Sequence, residues 1–152
     1  MHHPRRKAWL TVLLTGALLQ AACTGPDGGD PRTGSYEGWF SLGNTSTGST
    51  ALTVFEDGTA ELLCTFTGTD PSQGTFHLRL EGRPHLDSHG DLTSNDLMLT
   101  RFVPGVDTTS GQAAIFGRFH AGLDYFNGEW EVMPDEEVPG AGFWFASKHY
   151  RP

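Results

Sequence analysis

Basic residues are scarce in most of this chain. Only seven of its ten lysines and arginines follow Ala22, against all 18 aspartates and glutamates, so that part carries a net charge of −11. Nucleic-acid affinity comes mostly from basic side chains that contact phosphates. Nucleic acid is therefore a poor partner for this chain. Such an acidic excess is typical of a soluble surface, and a cationic or calcium-rich partner is the alternative.

The chain also lacks the motifs of common catalytic and cofactor sites. It has no Gly-x-Ser-x-Gly turn, no His-Glu-x-x-His zinc motif and no glycine-rich phosphate loop. The acidic run Asp135-Glu136-Glu137 lies between two prolines, where adjacent carboxylates are usually solvated. Calcium binding is the alternative for that run. We therefore predict no catalytic residue and no cofactor.

Helical periodicity is missing as well, because glycine, threonine and proline interrupt every candidate stretch. Short alternating strands recur instead. In one of them Phe76, Leu78 and Leu80 point one way and their polar neighbours the other. Two apolar runs are joined at Asp57-Gly58, a pair that favours a tight hairpin. The pattern indicates an all-β fold.

The strands and their short connections predict a single domain over residues 34–148. A meander barrel of about eight strands removes the exposed sheet edges and encloses space for side chains or one small ligand. A β-sandwich is the alternative. The strand pattern resembles the lipocalin and avidin barrels, and their Gly-x-Trp spacing occurs at 128–130 and 142–144. Those families carry it on the first strand, where this chain reads Gly38-Trp39, so the resemblance implies a barrel and no ligand residue.

The longest uncharged apolar run covers residues 8–19 and follows three basic residues. It is shorter than the roughly 20 residues that span a membrane, and it matches the core of a signal peptide. The sequence "LLQAAC" that follows resembles the bacterial lipobox. The resemblance implies that residues 1–22 are removed and that Cys23 receives acyl chains, which anchor the protein to a membrane.

Residues 23–33 are rich in glycine, proline and aspartate, and we predict a flexible linker there. Ordinary cleavage and free secretion is the alternative to lipidation, and a Cys23–Cys64 disulfide would then be available. With Cys23 lipidated, Cys64 is the one cysteine left. It lies on the apolar side of a predicted strand, so we expect a buried, inert thiol.

One segment, "RPHLDSHGD", carries two histidines with aspartates between and beyond them. A tight turn there would gather His85, Asp87 and His89 around a metal ion. As an extended chain, the segment separates the two imidazoles by roughly 13 Å at about 3.3 Å per residue, too far for one metal. We favour a solvated loop and keep the metal site as the alternative.

Aromatic residues occur near both ends of the predicted domain, and they meet if the first and last strands pair. Core packing and scattered surface rings are the usual roles of such residues. A stacking platform for sugars or an apolar ligand is the functional alternative. On that alternative, the candidate ligand-binding residues are Trp39, Trp130 and Trp144.

These observations predict a lipid-anchored protein of a bacterial cell envelope. Its expected role is that of a non-enzymatic binding module for a small apolar ligand in the barrel or a protein partner on its rim. The sequence leaves two alternatives open. One is a metal-dependent envelope hydrolase that uses His85, Asp87 and His89, and the other is a structural or inhibitor-like β-domain.

Overall fold

The computed structural model describes residues 29–106, 108–134 and 140–152, except the side chains of Ser46 and Thr47. The predicted signal peptide, Cys23 and the acidic run at residues 135–137 lie outside the described residues. The barrel belongs to one compact unit, Arg32–Pro152.

The described residues form nine β-strands and no helix, and so contain no helix that could cross a membrane. The strands are β1 Gly34–Leu42, β2 Thr45–Val54, β3 Ala60–Asp70, β4 Gly74–Gly82, β5 His85–Leu86, β6 Asp91–Phe102, β7 Thr109–His120, β8 Tyr125–Val132 and β9 Ala141–Ser147.

Eight of these strands close into an antiparallel barrel, which confirms the predicted fold class. Each long strand pairs with the next along the chain, β4 pairs with β6, and β9 returns to β1. The closing pair sets Phe40 opposite Trp144 and Trp39 opposite Phe145, so the aromatic residues from the two ends of the domain do meet. The ninth strand, β5, is two residues long and pairs with the start of β6.

The β2–β3 connection is the predicted hairpin. Gly58 has φ +80°, a conformation that glycine adopts without steric cost. The Asp57 carboxylate accepts hydrogen bonds from the Thr59 hydroxyl at 2.6 Å and the Thr59 N–H at 2.9 Å. These bonds lower the pKa of Asp57, with the hydroxyl bond as the largest cause. The turn holds the register in which Val54 faces Ala60.

Side chains of 22 buried hydrophobic residues fill the barrel interior as one cluster. Alternate residues of each strand point inward, and Phe76, Leu78 and Leu80 do so as predicted. The largest fully buried side chains include Tyr36 and Trp144. Burying each large apolar side chain contributes about 1.5–3 kcal/mol. The side chains that stabilise the fold therefore occupy the interior that a ligand-carrying barrel would leave open.

Cys64 lies in this core and has no disulfide partner among the described residues. Burial raises the pKa of its thiol to about 12, and the Thr50 hydroxyl at 3.5 Å opposes that shift only in part. The thiol is therefore protonated at neutral pH and shielded from solvent. This confirms the expected buried thiol.

Candidate binding face

Two Gly-x-Trp segments lie side by side on β8 and β9 in reciprocal register. Gly128 faces Trp144, and Trp130 faces Gly142. Because strand residues alternate between the two sides of a sheet, these four residues point into the barrel. The middle residues of the two segments must therefore point outward together.

The inward-pointing tryptophans occupy space that glycines leave free. A Cβ on Gly142 would lie 2.1 Å from the Ser41 carbonyl oxygen and 2.8 Å from Nε1 of Trp130. A Cβ on Gly117, in β7, would lie 2.2 Å from Cζ2 of Trp144. The glycines therefore permit both indoles to pack flat against the barrel wall.

Both indole N–H groups donate to backbone carbonyls. Trp130 donates to Ser41 at 2.9 Å and Trp144 to Phe116 at 3.3 Å. The two side chains are 2% and 1% exposed. Of the three tryptophans singled out from the sequence, Trp39 is thus the one that lies on the outer side of the barrel.

The outward residues of the same segments form a narrow slot. Glu129 on β8 lies directly opposite Phe143 on β9, and on its other side it faces Phe116 on β7. The two phenyl rings are 50% and 46% exposed for Phe116 and Phe143. Between them the slot has a volume of about 290 Å³, with Trp130 beneath it and Glu131 at one end.

A row of stacked rings continues the surface from this slot toward the start of β1. Phe145 stacks on Trp39 with 6.1 Å between ring centroids and contacts Tyr125 at 5.3 Å. Tyr125 in turn stacks on His120 at 4.4 Å. We call the outward side chains of this region the aromatic face, which comprises Trp39, Phe116, His120, Tyr125, Phe143 and Phe145.

The charged groups of the aromatic face divide into an arginine that is already paired and carboxylates without a partner. The Arg118 guanidinium donates to both Asp91 oxygens, at 2.8 and 3.2 Å, and the Asn127 amide oxygen bonds the His120 ring at 2.7 Å. Glu129 and Glu131 are exposed and form no ion pair or hydrogen bond within the described part of the chain. The face therefore offers negative charge that no basic side chain of the described residues neutralises.

The region of the barrel wall around β3, β4 and β6 differs from the aromatic face in the pairing of its charges. Its three arginines each pair with a carboxylate, and we call this region the paired face; the pairs are Arg79–Glu81 at 2.6 Å, Arg83–Glu61 at 3.1 Å and Arg101–Asp70 at 3.4 Å. Arg79 and Arg83 are exposed, whereas Arg101 lies at the rim of the barrel, 4.7 Å from the centroid of the buried Phe76 ring.

A broader groove of about 590 Å³ lies across β1, β2 and β3. Its hydroxyl groups bond one another or neighbouring side chains: Ser49 bonds Thr65 at 2.8 Å, and Thr67 bonds His77 at 3.0 Å. The groove is larger than the slot but has no exposed phenyl ring among its lining residues.

The histidine segment uses its central carboxylate to shape a turn. Oδ1 of Asp87 accepts the N–H groups of His89 at 2.8 Å and Asp91 at 2.9 Å, and these bonds, the Asp91 bond first, lower the pKa of Asp87. Nδ1 of His89 lies 3.6 Å from Oδ2 of Asp87, while His85 belongs to β5. No group of three ligands suited to a metal ion occurs within residues 29–106, 108–134 and 140–152.

Comparisons with known proteins find no family model that matches this chain, no similar curated protein and no similar solved structure. Glu129 and Phe116 were not singled out from the sequence. The signal for Glu129 was present, since two Gly-x-Trp segments on consecutive antiparallel strands set their middle residues on one outer side.

Proposed function

We propose that this chain is a non-enzymatic binding module, anchored through Cys23 at a bacterial cell envelope, whose aromatic face docks a protein partner. The observation that carries the proposal is the contrast between a barrel interior filled by its own side chains and an outer surface that exposes stacked rings. Contiguous exposed apolar patches mark interaction sites, and aromatic residues are enriched in protein interfaces.

The chemistry of the face favours a protein over a glycan. A sugar needs both donors and acceptors, and the strongest donor of the face, the Arg118 guanidinium, is already engaged by Asp91. The charged groups of the face that have no partner among the described residues are the Glu129 and Glu131 carboxylates, which only accept. An acidic envelope glycan would also be repelled by Glu129 and Glu131. A protein segment that brings its own donors and positive charge fits these conditions.

Photo-crosslinking tests the docking surface. Phe143 is replaced with p-benzoylphenylalanine in the native host, and Phe102 is replaced in the same way as a control. The two positions are 46% and 44% exposed, but Phe102 lies beside Arg101 of the paired face. We expect ultraviolet light to join the Phe143 probe to a protein and to leave the Phe102 probe unreacted. Equal yields at both positions, no adduct at Phe143, or an adduct to glycan alone would contradict the proposal.

Detergent partitioning tests the anchor. Lipidated Cys23 should carry the protein into the detergent phase, because several acyl chains on one residue give stable membrane attachment. Cys23→Ala should move the protein to the aqueous phase, while the control Cys64→Ala should not, since Cys64 is buried in the barrel. If wild type and Cys23→Ala both remain aqueous, the anchor is refuted.

A further inference from the structure

We infer that the slot between Phe116 and Phe143 receives one arginine side chain of the partner, with Glu129 as the carboxylate that pairs with its guanidinium. This inference rests on the proposed function and deepens it, because it names the group by which a partner would be recognised. It is carried by the ring geometry, the free carboxylate and the charge of the chain.

The geometry of the slot fits a flat group. Phe116 and Phe143 lie on the strands that flank β8, so their backbones are about 10 Å apart at roughly 4.8 Å per strand spacing. Outward side chains stand nearly perpendicular to a sheet. A planar cation inserted between the two rings can lie within about 6 Å of both centroids, the range in which a ring attracts a cation.

The size of the slot also limits the ligand. Its volume of about 290 Å³ lies just below the range of roughly 300–1,000 Å³ that is usual for small-molecule sites. Ala114 and Ala141 line it with methyl groups only, which leave it open to the outside. An open slot of this size suits a single side chain that enters from a neighbouring molecule.

Glu129 supplies the charge of the slot. It lies between the two phenylalanines in register, and no basic side chain of the described residues neutralises it. The nearest arginine along β7, Arg118, is bonded to both oxygens of Asp91 instead. A guanidinium that enters the slot would therefore meet an unpaired carboxylate and two exposed phenyl rings together.

Arginine fits this arrangement better than the other cations. Its guanidinium is planar, weakly hydrated and able to stack on rings while donating two parallel hydrogen bonds to a carboxylate. An ammonium group is compact and strongly hydrated, so it gains less from the rings. A calcium ion needs six to eight oxygen ligands, and the phenyl rings supply none. The net charge of −11 after Ala22 adds a general attraction for a basic partner.

The test measures how tightly oligo-arginine and oligo-lysine peptides of equal length bind the detergent-solubilised full chain. Fluorescence anisotropy gives the affinity, and the indole N–H resonance of Trp130, beneath the slot, reports where the peptide binds. We expect oligo-arginine to bind more tightly than oligo-lysine and to shift the Trp130 resonance. Equal affinities, or no shift at Trp130, would overturn the inference.

Two variants and one matched control separate the slot from general electrostatics. Glu129→Gln removes the charge at nearly constant shape, and Phe143→Leu removes one ring. Each should weaken oligo-arginine binding about tenfold, as expected for a charge-assisted pair and a desolvated ring–cation contact. The control Glu56→Gln removes an equal charge from the exposed β2–β3 turn and should leave the affinity within about twofold.

Equal weakening by Glu129→Gln and Glu56→Gln would refute the slot. If Phe143→Leu does not fold, Glu129→Gln decides the question, because that side chain is exposed and makes no contact that the fold needs. The results distinguish a failure of the arginine slot from a failure of the proposed function. A protein adduct at Phe143 without arginine selectivity refutes the slot alone, whereas selective peptide binding without any adduct refutes the protein partner.

Discussion

The paired face and the aromatic face belong to the same barrel but differ in whether their charged side chains have partners within the chain. On the paired face, Arg79, Arg83 and Arg101 each lie within ion-pair distance of a carboxylate of the same chain. On the aromatic face, Glu129 and Glu131 have no such partner and stand beside exposed phenyl rings. A charged group that is already paired within the chain would have to break that pair before it could bind a second molecule. The unpaired carboxylates of Glu129 and Glu131 can pair with a second molecule without breaking a bond within the chain.

The difference is confined to the outer surface, because both faces are backed by the same core. Leu80 of β4 and Trp144 of β9 are both almost fully buried in one cluster. Substitutions in the core should therefore affect stability on either side of the barrel. Substitutions on the outer surface should affect binding on the aromatic face alone.

Removing one inner tryptophan should have the largest effect on stability. Trp144→Ala should lower the free energy of unfolding by about 4 kcal/mol, because it leaves a cavity in the core. Trp39→Ala removes an outer ring stacked on Phe145 and should cost about 1 kcal/mol, while it abolishes crosslinking at Phe143. Urea denaturation measures both. Equal losses of stability would mean that the two tryptophans do not divide into core and surface as described.

A methyl group added to the wall beneath the slot should have the next largest effect. In Gly142→Ala the new Cβ would lie 2.1 Å from the Ser41 carbonyl oxygen, and we expect a loss of about 3 kcal/mol from overpacking. The control Gly74→Ala, at the first residue of β4, has open space but φ +80° and should lose about 1 kcal/mol. Thermal denaturation compares them, and a Gly142→Ala protein as stable as Gly74→Ala would contradict the packing.

Acid should weaken the paired face through Asp70. Its carboxylate accepts the Ser72 hydroxyl at 2.6 Å and the Ser72 N–H at 2.8 Å, and these bonds, with Arg101, hold its pKa below the ordinary 3.8. A lowered pKa stabilises the fold above the unfolded value, and that stability is lost as pH falls through the folded value.

Asp70→Asn should therefore flatten the loss of stability below about pH 4, and Ser72→Ala, which removes the strongest donor, should do so in part. Denaturation midpoints measured between neutral and strongly acidic pH provide the test. An unchanged acid profile in both variants would show that these bonds do not set the titration of Asp70.

Breaking one exposed ion pair should have the smallest effect. Arg79 and Glu81 are 57% and 41% exposed, so Arg79→Ala should change stability by about 0.5 kcal/mol. It should leave crosslinking at Phe143 unchanged. A double-mutant cycle with Glu81→Ala isolates the pair. A loss of binding in Arg79→Ala would place part of the docking surface on the paired face and contradict the distinction between the two faces.

The alternating strands and the Asp57-Gly58 hairpin were predictable because they depend on neighbours in sequence. Inward-pointing Leu78 and Leu80 follow from period-two spacing, and φ +80° at Gly58 follows from the turn. The slot was not predictable in this way. Phe116 and Phe143 are 27 positions apart, and only the register of β7, β8 and β9 sets them on either side of Glu129.

The sequence by itself determined the all-β class, the burial of Cys64 and the acidic charge, because each depends on composition or on local alternation. The tertiary structure decided that Trp130 and Trp144 lie inside the barrel while Trp39 lies outside. It also decided that the barrel is closed by β1 and β9 and that Glu129 has no basic neighbour among the described residues. These outcomes depend on which distant strands pair and in which register, and a shift by one residue would exchange the inner and outer sets.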